Sequence, residues 1–147
     1  MVSSRFAGAL AALACCSVAV AGDLPVIALP LGGEQIAVEV AATDAALQRG
    51  LQGRRSMPDN AGMLLVLPDA ALRCVWMKDT LLPLSAAFLD PAGAVLTLAD
   101  MAPLSTEFHC SAPSARYVLE MNQGWFARHG IAVGALIDLG GLYQNRP

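Results

Sequence analysis

The sequence predicts a mainly β domain, a compact β-sandwich or barrel-like fold carrying two short helices. Three observations lead there. Ile36, Val38 and Val40 alternate with Gln35, Ala37 and Glu39, the period of two that marks a strand with one buried face. Gly62 to Leu67 and Leu84 to Leu89 are unbroken apolar runs of strand length, suited to burial on both faces. Turn-forming groups such as Asp90-Pro91-Ala92-Gly93 separate these runs at short intervals, as in sandwiches and barrels.

A chain of 147 residues has room for one core. With 56% hydrophobic and 14% charged residues it is too apolar to remain disordered, even allowing for its apolar start. Nine Lys and Arg face twelve Asp and Glu, and the difference of -3 does not favour nucleic acid or an anionic membrane surface as partner.

Residues 1–21 read as a secretory signal: a short polar start with Arg5, an apolar run from Phe6 to Ala19, and the small-residue pattern Ala19-Val20-Ala21 before the expected cut. The run is shorter than the roughly 20 residues a membrane helix needs. Cleavage leaves a periplasmic or secreted chain without a membrane span. Ala14-Cys15 offers the alternative of a lipid anchor on Cys15, although Ala12 stands where such sites usually carry Leu.

After a lead-in over residues 22–34, the single domain is expected over 35–140, followed by a tail over 141–147. A strand ends near Ala42. Thr43 then supplies an N-cap, Asp44 suits the first helical turn, Ala45 to Arg49 favour helix and Gly50 can close it. Gly53 to Arg55 and Met57 to Asn60 read as loop, Gly62 to Leu67 as strand and Pro68 to Leu72 as a connection. Leu84 to Leu89 and Ala94 to Ala99 form a hairpin about Asp90-Gly93. A polar loop from Ala102 to Ser114 leads to a strand, Ala115 to Met121. Asn122 is expected to cap a short helix through Arg128, ended by Gly130, and Val133 to Leu139 to be the closing strand.

Cys74 to Pro83, CVWMKDTLLP, is the densest stretch in chemical groups and holds the only Lys. As a strand it turns Val75 and Met77 to the core and Cys74, Trp76, Lys78 and Thr80 to the other face. A cation beside an indole and a hydroxyl is suited to a sugar, a carboxylate or a peptide end; the plainer reading is Trp covering core while Lys snorkels to water. Arg54 is suited to a carboxylate, either Asp79, Glu120 or a ligand, with an internal ion pair the simpler use. Glu120 and Asn122 share one strand face and can join the patch. Cys74 and Cys110, the pair left after cleavage, are expected to form a disulfide in an oxidising compartment, tethering His109 beside that face.

Four blocks occur in order: GLQGR at Gly50 to Arg54, AGMLLVLP at Ala61 to Pro68, VWMKDTLLPLSAAFLD at Val75 to Asp90, and SARYVLEMNQGWFARHGIAVG at Ser114 to Gly134. Together the series resembles the bacterial and archaeal family called domain of unknown function 192. The resemblance implies a compact, mostly β domain, often exported, with no established activity to carry across. Relatives commonly place Asp where this chain has Ser85 and often where it has Ala135, so chemistry resting on either acid is not available here.

The sequence lacks the usual enzyme signatures. His109 and Cys110 are adjacent, so in a strand they point to opposite faces, and no orienting acid accompanies them. The two His and two Cys after residue 21 show no metal-ligand spacing. No phosphate-binding Gly loop or nucleophile elbow occurs, and no cofactor is implied. The expected function is an exported envelope domain that binds a small polar ligand or a partner protein through Arg54, Trp76, Lys78, Asp79, Thr80, His109 and Glu120, with no catalytic residue or metal assigned. The alternative is an enzyme of unrecognised type using Lys78, Asp79 and Thr80.

Overall fold

The computed structural model describes residues 24–144; the expected signal segment and the Cys15 anchor lie outside the described residues. The mainly β class holds. One mixed sheet contains six strands in the order β1-β2-β3-β8-β5-β6: β1 Val26–Leu31, β2 Glu34–Ala41, β3 Ala61–Ala71, β5 Leu84–Leu89, β6 Val95–Met101 and β8 Ala115–Asn122. A separate two-stranded ladder pairs β4 Cys74–Val75 with β7 His109–Cys110. Only β2 and β3 run parallel; every other neighbouring pair is antiparallel.

The period of two sorts the apolar side chains onto both faces. Leu64, Ala87, Leu89, Leu119 and Met121 join one core with Trp125 and Phe126. Met63, Leu65, Leu84, Ala86, Phe88 and Val118 join the other with Met77 and Leu82. What covers each face is short helix and loop: α2 Trp125–Arg128 and segment 131–142 on the first, α1 Asp44–Arg49 and segment 74–82 on the second.

Several local expectations match the structure. The Thr43 hydroxyl accepts the Ala46 N–H at 3.3 Å, and Gly50 closes α1 with φ 48°. Asp90 Oδ1 accepts the N–H groups of Ala92 and Ala94 at 2.8 and 2.9 Å, fixing the turn between β5 and β6. Others are corrected. The lead-in contains β1, which pairs along its whole length with β2 because Ile27, Leu29 and Leu31 need a buried face. β3 runs through Pro68 to Ala71, with an irregular register between Val66 and Ala71 that absorbs the proline. Val133–Leu139 is no strand: it makes a single bridge, Ala94 to Leu136, because the hairpin turn it crosses offers only a few backbone partners. A third helix, α3 Gly140–Gln144, follows it.

Asn122 does not cap α2. It ends β8 and its Nδ2 donates to the carbonyls of Met57 and Pro58 at 3.3 and 2.9 Å, pinning the loop before β3. The residue at the α2 N-cap is Gly124, whose N–H donates to the buried Ser85 hydroxyl at 2.8 Å.

Candidate functional site

The stretch from Cys74 to Pro83 is central, but not as a strand. Only Cys74 and Val75 pair, with Cys110 and His109. A turn follows, closed by the Thr80 N–H on the Met77 carbonyl at 3.0 Å, with Asp79 at its third position and φ 57°. Asp tolerates that left-handed conformation better than most side chains, which lets Lys78-Asp79 break the strand where apolar content alone would extend it. Facing it, Leu104 has φ 61°, and its N–H donates to the Thr80 carbonyl at 3.0 Å. These are the two non-glycine residues of positive φ among the described residues, and such conformations persist only where surrounding contacts enforce them.

The enforcing contacts can be named. The disulfide Cys74–Cys110 joins β4 to β7. Met77 N–H donates to the Ser105 carbonyl at 3.0 Å, and Ser111 N–H to the Arg73 carbonyl at 2.7 Å. Beyond the disulfide, Trp76 stacks on Phe108 with ring centroids 5.4 Å apart and planes 7° from parallel. Lys78 Nζ lies 5.6 Å from the centroid of the same indole. The result is a stapled lip.

That lip, the last turn of α1 and the sheet enclose a cleft of about 350 Å³. Trp76, Lys78 and Asp79 stand on one wall, Gln48, Arg49 and Gln52 on another, and Leu65, Leu84 and Glu120 of β3, β5 and β8 form the floor. Glu120 is only 6% exposed. Its neighbours across the ladders are Met63 and Ala86, both apolar. Among the described residues none donates a hydrogen bond to its carboxyl, and burial alone pushes its pKa up to about 7. Gly62 helps to set this geometry, since a β-carbon there would run into the Glu120 carbonyl oxygen and the Met121 sulfur.

Of the residues singled out in the sequence, Trp76, Lys78, Asp79, Thr80 and Glu120 meet in this cleft. Thr80 is buried rather than displayed, and its hydroxyl donates to the Lys78 carbonyl at 3.4 Å; the turn reverses the alternation on which its exposure was expected. Arg54 is elsewhere. Its two terminal nitrogens donate to the two Glu39 oxygens at 2.6 and 2.9 Å beside a second cavity of about 500 Å³, and the Glu39 hydrogen bond raises its pKa. His109 is half-buried on β7 opposite Val75 and does not line the cleft. Phe108 and the end of α1 were not foreseen. Phe108 carried one signal, a lone aromatic in a polar loop two residues from a cysteine; the helix end carried none, because only the fold brings it across from Trp76.

The sequence matches the family described as DUF192, Uncharacterized ACR, over residues 27–139. A solved structure from Sinorhizobium meliloti 1021, described as a candidate transcription regulator, is 29% identical; the match covers 79% of this chain and 93% of that one with a TM-score of 0.73. A protein of unknown function from Novosphingobium aromaticivorans DSM 12444 is 26% identical, with 82% and 89% covered and a TM-score of 0.72. No curated protein matches the chain in sequence.

Proposed function

This chain belongs to the DUF192 family, which carries no assigned activity, and from that premise we propose that it is an exported envelope domain whose cleft binds a small polar ligand. One observation carries the reading: a buried carboxyl, Glu120, forms part of the floor of an open cleft with no donor supplied by the described residues. Its oxygens are not among the fully enclosed side-chain atoms left without a partner, so they open onto the cleft. A carboxyl so placed is suited to a molecule that brings it a donor. The strained residue Asp79 in its wall supports the reading of a site held in shape.

The regulator description of the Sinorhizobium protein does not extend comfortably to this chain, whose formal charge of -3 would oppose a nucleic-acid backbone. Export rests on residues 1–21 as read above. Among the described residues no helix is long and apolar enough to cross a membrane.

A second reading has its own observation. A carboxyl held near pKa 7 is matched to proton transfer, so if the domain is an enzyme, Glu120 rather than Thr80 is its acid or base, with Lys78 and Asp79 beside it. A ligand screen by amide chemical shifts on purified protein tests both. Binding is expected to perturb Gln48–Gln52, Trp76–Thr80 and Glu120 together, with no turnover. Shifts confined to other surfaces would overturn the site, and turnover lost in Glu120→Gln would replace the binding module by the enzyme.

A further inference from the structure

Resting on that reading, we propose that the ligand is a free amino acid, seated with its ammonium group on Glu120 at the floor and its carboxylate towards Lys78 and Arg49 at the rim. The distribution of charge across the cleft carries the argument. The floor offers one carboxyl and no cation, because β3 and β5 present only Met63 and Ala86 beside it. The walls offer Arg49 and Lys78, both exposed and neither in an ion pair among the described residues, together with the single acid Asp79. An acceptor deep inside and two cations outside match a molecule that is positive at one end and negative at the other.

Other small-molecule classes fit less well. A simple anion would satisfy Arg49 or Lys78 but leave Glu120 without a donor. A simple amine would satisfy Glu120 and meet two cations on the way out. A polyol would supply hydroxyls to Glu120 while leaving the rim charges unused. Size also restricts the choice, since about 350 Å³ is near the lower end of the ~300–1,000 Å³ usual for small-molecule sites. The apolar side chains of Leu65, Met77 and Leu84 in the lining are suited to an aliphatic amino-acid side chain.

The arrangement also specifies a proton. Desolvation leaves Glu120 partly protonated near neutral pH in the empty cleft. An adjacent ammonium favours the carboxylate, so capture transfers the Glu120 proton to solvent and the bound pair is ammonium and carboxylate. Arg49 and Lys78 also favour the carboxylate, and Asp79 opposes it, but all three are exposed and act through water.

The test is calorimetric titration of the purified protein at pH 7, in phosphate and in Tris, with the common amino acids singly and with N-acetyl-L-leucine, isoamylamine and glucose as controls. We expect an aliphatic amino acid to bind with a heat that differs between the buffers, reporting proton release. Its N-acetyl form should bind at least tenfold more weakly. Glu120→Gln should weaken binding at least tenfold and remove the buffer dependence, and Lys78→Ala should weaken it about threefold with the buffer dependence intact. Equal or better binding of N-acetyl-L-leucine or glucose would overturn the amino-acid assignment while leaving the cleft a binding site. Failure of every amino acid to bind would also overturn it, and the chemical-shift screen then decides separately whether the cleft binds anything.

Discussion

Arg54 grips Glu39 with two parallel hydrogen bonds of 2.6 and 2.9 Å, and this internal ion pair keeps the guanidinium out of the cleft lined by Asp79 and Glu120. Both side chains remain partly exposed, at 32% and 26%, so water screens the pair. Arg54→Ala should cost about 1 kcal/mol in urea unfolding, with a double-mutant coupling to Glu39 of similar size or less. Ligand binding in the Trp76 cleft should be unchanged; a loss there would return Arg54 to the site.

Glu120 makes stability fall as pH rises. Its pKa lies near 4.5 when solvated and about 7 in the folded protein, so between those values the native state holds the proton more tightly than the unfolded one. The stabilising contribution of the protonated form is complete below about pH 4.5 and is lost as pH climbs through 7. Glu120→Gln should therefore gain on the native protein with increasing pH, by up to about 3 kcal/mol at pH 8. A difference in unfolding free energy that stays constant from pH 4.5 to 8 would refute the buried, unpaired carboxyl.

The disulfide spans 36 residues, and closing such a loop restricts the unfolded chain by about 4 kcal/mol in the entropy model, usually less in practice. It also holds a ladder of two residues per strand, too short to persist alone. Cys74→Ser with Cys110→Ser should lower unfolding free energy by about 2–4 kcal/mol. Amide exchange at Met77 and Ser111, whose N–H groups bond across the lip, should accelerate more than in β8. Equal protection with and without the bond would assign the lip's rigidity to its hydrogen bonds instead.

The Ser85 hydroxyl both donates to Asp100 and accepts the Gly124 N–H at 2.8 Å. Ser85→Ala leaves that backbone donor at the start of α2 without its acceptor, and a loss of about 1–2 kcal/mol is expected in thermal or urea unfolding. The local signature is faster amide exchange at Gly124. A neutral effect would mean that water replaces the hydroxyl.

What the sequence disclosed follows from the range of the forces involved. The α1 caps and the Asp90–Gly93 turn are local, set by side chains within a few residues of the backbone they bond, and they were legible. So were β3, β5 and β8 as strands, because their runs are apolar throughout. The turn at Met77–Thr80 was not, since its strained Asp79 is enforced by a hydrogen bond from Gly53 and its neighbour Thr80 is held by Leu104. By residue type alone Arg54 is suited to Glu120, but the fold separates them, because Glu39 of β2 takes the guanidinium. Glu120 itself was visible as a candidate. Its depth was not, because that depends on β8 lying between β3 and β5.

That position of β8 makes it the only strand that joins the two halves of the sheet. β1-β2-β3 and the β5-β6 hairpin share no ladder except through β8, and each has an apolar strand edge that β8 occupies. A chain in which β8 has not yet docked would therefore leave β3 and β5 open to pairing with each other or with other chains. Insertion of one strand then converts two open edges into continuous sheet, and the same event carries Glu120 to the floor of the cleft. The strand that completes the sheet is also the one that supplies the carboxyl of the cleft floor.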